Sequence, residues 1–146
     1  MTRRLIAAVL VSLLAACAST PRPEPGPPPT PFPTLPPHPE TPAVASLIDN
    51  ARLDSQAGRY GNAAASLERA LRIEPRNPRL WQELSRVRYS QREFAQAESC
   101  AQRSNSWAGG DNALRFENWQ LIAQAREARG DSAGAKAAVD AAERLR

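Results

Sequence analysis

The stretch GRYGNAAASLERALRIEP, residues 58–75, decides how the rest of the chain reads. It opens on Gly58, passes through Tyr60, places Ala63, Leu67 and Ala70 three to four positions apart, and closes on Pro75. Apolar residues at that spacing line one face of an α-helix, while Gly and Pro punctuate its two ends. Moving outward, Gln91-Arg92-Glu93-Phe94 and Gly130-Asp131 fall in register with Gly58-Arg59-Tyr60. Three copies result, over 44–77, 78–111 and 116–146, with a period of about 34 residues. From Ala43 onward the chain is rich in Ala, Leu, Arg and Gln and has no alternating β-branched run. The pattern therefore predicts an all-α domain over 43–146.

The second copy begins with Pro78 at a helix start and sets Trp81, Leu84 and Ser85 at large, aliphatic and small positions, followed by Phe94 and Ala97. The third carries Trp119, Ile122, Ala123, Gly130, Ala135, Val139 and Ala142. Trp119 follows Trp81 by 38 positions, and the four extra residues are assigned to the loop around Ala108-Gly109-Gly110-Asp111. In length and residue pattern the copies resemble tetratricopeptide repeats. The resemblance implies three helix-turn-helix units stacked as a short right-handed solenoid, because each hairpin leaves one face for its neighbour to cover. Ala63, Ala97 and Ala135 would let paired helices approach, and Leu67, Trp81 and Trp119 would fill the space between. Departures from the family pattern are Asn50 and Asp54 in copy 1, Arg88 at an aromatic position of copy 2, and Gly109 in place of a terminal Pro. No solvating helix is expected after the sixth.

The first 42 residues read differently. Thr2-Arg3-Arg4 precedes an apolar run from Leu5 to Leu14, too short to span a bilayer and of the length of a secretion signal. It ends in Leu14-Ala15-Ala16-Cys17, which resembles the bacterial lipobox. That resemblance implies a signal peptide over 1–16, cleavage before Cys17, and acylation of Cys17 as a lipid anchor to the membrane. Each buried methylene of such a chain contributes about 0.8 kcal/mol. Ala18 stands where the sorting rule for such lipoproteins has Asp for inner-membrane retention, so the periplasmic face of the outer membrane is the expected location. Twelve of the 14 prolines lie between Pro21 and Pro42. Residues 17–42 thus form the lipidated Cys and a disordered, extended Pro-rich tether. At about 3.1 Å per residue it reaches on the order of 75 Å. His38 lies within it and has no metal-ligating partners nearby in sequence.

Over 43–146 there are 16 Lys and Arg against 13 Asp and Glu, interspersed rather than blocked. Such a balance argues against nucleic acid as the partner. No GxxxxGK[ST], HExxH, CxxC or GxSxG pattern occurs, so neither catalysis, a cofactor, a metal nor a small-molecule substrate is expected. With Cys17 acylated, Cys100 has no intramolecular disulfide partner and reads as a small buried residue on a helix. Arg129-Gly130-Asp131 spells an adhesion tripeptide, but Gly130 falls at the inter-helix turn of copy 3. Trp107 lies outside the repeat's core positions and is a candidate partner contact.

In tetratricopeptide folds the first helix of each repeat lines the concave surface. Carried over position by position, this gives Ile48, Arg52 and Ser55, then Arg79, Gln82, Arg86 and Tyr89, then Gln120, Gln124 and Glu127. The groove so drawn is polar and basic at its middle, with Tyr89 as an aromatic anchor. Anchor, spacer and helical module in that order resemble the Lpo lipoproteins that activate class A penicillin-binding proteins, in particular their small tetratricopeptide-bearing LpoP type. The resemblance implies a protein partner of that class, whose regulatory domain the module would grip. A pilotin-like or outer-membrane assembly adaptor is the alternative within the interaction class.

Overall fold

The computed structural model describes residues 41–146. Cys17, His38 and the proline-rich stretch lie outside the described residues. Six helices follow one another: α1 (Pro42–Gln56), α2 (Tyr60–Ile73), α3 (Pro78–Ser90), α4 (Phe94–Trp107), α5 (Asn112–Ala128) and α6 (Ser132–Glu143). No strand occurs among the described residues. Each helix packs on its neighbours in sequence, so the hairpins α1–α2, α3–α4 and α5–α6 stack as a short right-handed solenoid of three tetratricopeptide-like repeats. No described helix is long and apolar enough to cross a membrane.

Local chemistry sets the boundaries. The first helix of each repeat starts at a side-chain cap, because its leading N–H groups have no partner within the helix. Thr41 accepts from the Val44 amide, Asn77 Oδ1 from those of Arg79 and Leu80, and Asp111 Oδ1 from that of Leu114. Pro42 and Pro78 occupy the first turn, where a missing N–H costs nothing. Within each hairpin the turn passes through the left-handed region: Gly58 at φ 72°, Arg92 at φ 63° and Gly130 at φ 79°. These are homologous positions, and only Arg92 carries the steric burden of a side chain there.

The caps correct one expectation. Asn77 and Asp111 are 34 positions apart, whereas Arg92 and Gly130 are 38 apart. The extra residues are therefore not in the loop at Ala108-Gly109-Gly110-Asp111. They lengthen α5, which has 17 residues against 13 in α3. Four residues make slightly more than one turn, so the inserted segment extends the helix while nearly preserving its buried face.

The core falls into two clusters. Val44, Ile48, Ala51, Ala63, Ala64, Leu67, Ala70, Leu71, Leu80, Leu84, Val87 and Cys100 form the first, with Tyr60 and Trp81 half-buried against it. Ala101, Ile122, Ala123 and Ala138 form the second, bordered by Trp119. The small residues Ala63, Ala97 and Ala135 are buried as the repeat pattern requires. Ser85 is fully buried and donates to the Ala97 carbonyl at 2.7 Å, holding α3 against α4. The two tryptophans are less central than the sequence implied: Trp81 and Trp119 border the clusters rather than fill them. Val139, one of the repeat-pattern residues of copy 3, is 46% exposed on the side of α6 that borders a shallow hollow with α5.

Candidate functional site

A hollow of about 230 Å³ opens on the side formed by the first helices of repeats 1 and 2. Its floor is apolar, from Ile48 and Ala51 of α1, Leu67 of α2 and Val87 of α3. Its rim is polar, with Arg52, Ser55 and Gln56 facing Glu83, Arg86 and Ser90. The hollow exists because the first helices are not equally close: α3 touches α5, whereas α1 and α3 stand apart along this surface. An apolar floor with convergent charges at the rim suits a side chain presented by another protein.

Of the residues transferred from the repeat pattern, Ile48, Arg52, Ser55 and Arg86 meet at this hollow. The others disperse. Gln82 is buried, and its Nε2 donates to Glu117 at 3.1 Å across the α3–α5 contact. Tyr89 is no free anchor: its ring packs on Phe94 with centroids 5.3 Å apart, closing the α3–α4 turn. Arg79 sits at the start of α3, 4.0 Å from Asp111. Gln120 and Gln124 are exposed on α5, and Gln124 joins Glu127, Ser132 and Val139 around a shallower hollow between α5 and α6. Ile48 faces the groove but is buried as its floor.

The groove is not the basic surface that the sequence suggested. Arg52 lies 3.8 Å from Glu83, and Arg86 pairs with Glu117 at 3.0 Å. Sequence reasoning missed both carboxylates although the signal was present. Arg52 and Arg86 are 34 positions apart, and so are Glu83 and Glu117. The same interhelical pair is thus written twice at the repeat period, each arginine reaching the first helix of the next repeat. Gln124, which follows Arg86 by the same 38 positions that separate Arg92 from Gly130, stands at the third equivalent of Arg52 and ends the series.

Other motifs are absorbed by the structure. Gly130 forms the α5–α6 turn, Asp131 caps α6 through the Gly134 amide at 2.8 Å, and Arg129 pairs with Glu98. All three residues of the adhesion tripeptide are so engaged. Arg88, at the position usually aromatic, ties α2 to the α3–α4 turn through Glu68 and Glu93. Burial pushes the Cys100 thiol upward, opposed by the nearby charges of Arg88 and Arg103. It is a core thiol and a poor nucleophile. No cluster of metal-ligating side chains occurs among the described residues.

A stack of capped helical hairpins with a polar-rimmed hollow on its first-helix face defines a tetratricopeptide-repeat interaction scaffold. The family model for the tetratricopeptide repeat matches residues 55–115. No curated protein matches the chain. Among solved structures, the globular C-terminal domain of P. aeruginosa LpoP is 46% identical, with a TM-score of 0.69, over 70% of this chain and 97% of that one. The chain belongs to the LpoP family of tetratricopeptide-repeat proteins.

Proposed function

We propose that this chain is an outer-membrane lipoprotein whose repeat domain binds and activates a class A penicillin-binding protein. The carrying observation is the 46% identity over nearly the whole solved LpoP domain. The Leu14-Ala15-Ala16-Cys17 segment supports a lipid anchor at Cys17, and the prolines from Pro21 to Pro42 support a spacer that carries the domain away from the membrane. In this reading the domains are 1–16, 17–42 and 43–146, as the composition divides them. Activation needs no chemistry from the chain. Binding the active conformation of the synthase more tightly than the inactive one shifts its population.

The contact is assigned to the hollow between α1 and α3, centred on Arg52 and Arg86. Arg79, Gln82, Tyr89, Gln120 and Gln124, inferred from the repeat pattern, are secondary to it, since Gln82 and Tyr89 are held by internal contacts. The test is glycan polymerisation by the purified synthase, measured with and without the chain. The intact chain is expected to raise the rate, and Arg52→Glu with Arg86→Glu to weaken the effect while circular dichroism stays unchanged. No rate increase with the intact chain overturns the reading. Full activation by the double variant moves the contact away from the hollow.

A further inference from the structure

Three arginines stack on aromatic rings. Arg76 lies over Trp107 with its Cζ 5.2 Å from the ring centroid, Arg103 over Trp81 at 4.9 Å, and Arg146 over Phe116 at 4.9 Å. The third stack has its counterion, since Arg146 also meets Glu143 at 3.3 Å. Arg76 and Arg103 have no ion pair among the described residues. The contrast with the hollow is sharp, because Arg52 and Arg86 each approach a carboxylate there.

The two incomplete stacks form one patch. The Trp81 indole N–H donates to the Pro75 carbonyl at 2.9 Å, which seats the residue preceding Arg76 against the ring that Arg103 covers. Arg103 and Trp107 are one turn apart on α4. Arg69 and Arg72, exposed on α2 shortly before Arg76 in the chain, likewise have no ion pair among the described residues. Of the neighbouring acids, Glu68 is taken up by Arg88, and Glu74 accepts from the Thr41 amide at 3.0 Å and from Asn77 Nδ2 at 2.8 Å. Trp107, 45% exposed, supplies apolar surface within the patch, and Ile73, 50% exposed, ends α2 three residues before Arg76.

A guanidinium lying over an aromatic ring keeps its in-plane N–H groups free, and their fork matches a carboxylate. Stacking also restricts the side chain beforehand, so less freedom is lost when the pair forms. We infer that this edge of α2 and α4 is a second docking surface, for an acidic segment of a partner protein. Asp or Glu side chains complete the Arg76 and Arg103 stacks, and an apolar residue of the segment covers Trp107. An anionic membrane fits less well. Its interface takes up tryptophan by embedding the ring, and here each ring already carries a guanidinium. The surface is distinct from the hollow and does not depend on the identity of the hollow's partner.

The full chain is titrated with a short synthetic peptide alternating Glu and Leu, with the same peptide carrying Gln for Glu, and with vesicles of equal parts phosphatidylcholine and phosphatidylglycerol. The Glu peptide is expected to bind, more weakly as salt rises, and the Gln peptide not to bind. Arg76→Gln with Arg103→Gln is expected to lower affinity about tenfold or more, the loss of two charge-assisted contacts. Arg146→Gln, whose stack is already paired, and the Arg52→Glu/Arg86→Glu groove variant are expected to bind the Glu peptide as the parent does. Should the Gln pair fail to fold by circular dichroism, Arg76→Lys with Arg103→Lys keeps the cations while removing the fork, and the same loss is expected. Equal binding by the folded double variant, equal binding of the Gln peptide, or binding of vesicles but not of peptide overturns the inference.

Discussion

The two junctions of the array are made of different materials. Where repeat 1 meets repeat 2, Leu67, Ala70 and Leu71 belong to one continuous aliphatic cluster with Leu80, Leu84 and Val87. Where repeat 2 meets repeat 3, the buried apolar residues are mostly alanines, and polar groups take over. Asn118 and Ser104 are both fully buried there. Asn118 Nδ2 donates to Ser104 Oγ at 2.7 Å and to Asn105 Oδ1 at 3.0 Å, while Ser104 donates to the Pro78 carbonyl at 2.7 Å. Nearby, Glu98 accepts from Arg126 at 2.7 Å and from Arg129 at 3.0 Å. Aliphatic burial has no direction and tolerates sliding, whereas hydrogen bonds fix position. The directional contacts sit where the repeat period lengthens and the register would otherwise be least determined.

The largest expected effect lies at the aliphatic junction. Leu67→Ala should cost about 2–5 kcal/mol, the range for truncating a fully buried leucine, read as a lowered midpoint in urea. Cys100 belongs to the same cluster and its buried thiol is shifted upward. Its labelling by a thiol reagent at mildly alkaline pH should be slow in the parent and accelerate in that variant. Acceleration without a stability loss would mean that Cys100 reports only local opening of α4.

At the polar junction, Glu98→Ala should cost about 2 kcal/mol. The figure is below that for fully buried pairs because Arg129 is half-exposed. Hydrogen exchange should quicken first in α5 and α6 and leave α1 to α3 protected. Uniform quickening would show that the two junctions are one cooperative unit. Ser104→Ala should cost about 1–2 kcal/mol, because Asn118 Nδ2 and the Pro78 carbonyl each lose a buried partner. The smallest effect has the opposite sign. Arg92→Gly should stabilise the α3–α4 hairpin by about 0.5–1 kcal/mol, the left-handed strain relieved less the added freedom of the unfolded chain. A loss of stability there would mean that the exposed Arg92 side chain makes contacts worth more than its strain.

Much of the molecule is legible in the order of its residues because repeat folds are governed by local and next-neighbour contacts. Gly58, Pro75, Pro78 and Gly130 mark turns and helix starts through their own backbone constraints, and Ala63, Ala97 and Ala135 mark close helix contacts through size alone. The rim pairs were legible too, in the 34-residue spacing of Arg52 with Arg86 and of Glu83 with Glu117. Other features came from the packing of helices in space. Whether four added residues lengthen a loop or a helix depends on where the cap at Asp111 and the turn at Gly130 fall, and helix geometry allows a whole turn to be absorbed in α5. Gln82 and Tyr89 stand at surface positions of the pattern, yet the approach of α5 buries the one and Phe94 covers the other. The stacks of Arg76 on Trp107 and Arg103 on Trp81 join residues from a loop and two helices, 31 and 22 positions apart in sequence. No periodicity encodes such contacts, because they depend on the distance between elements and not on the face of any one helix.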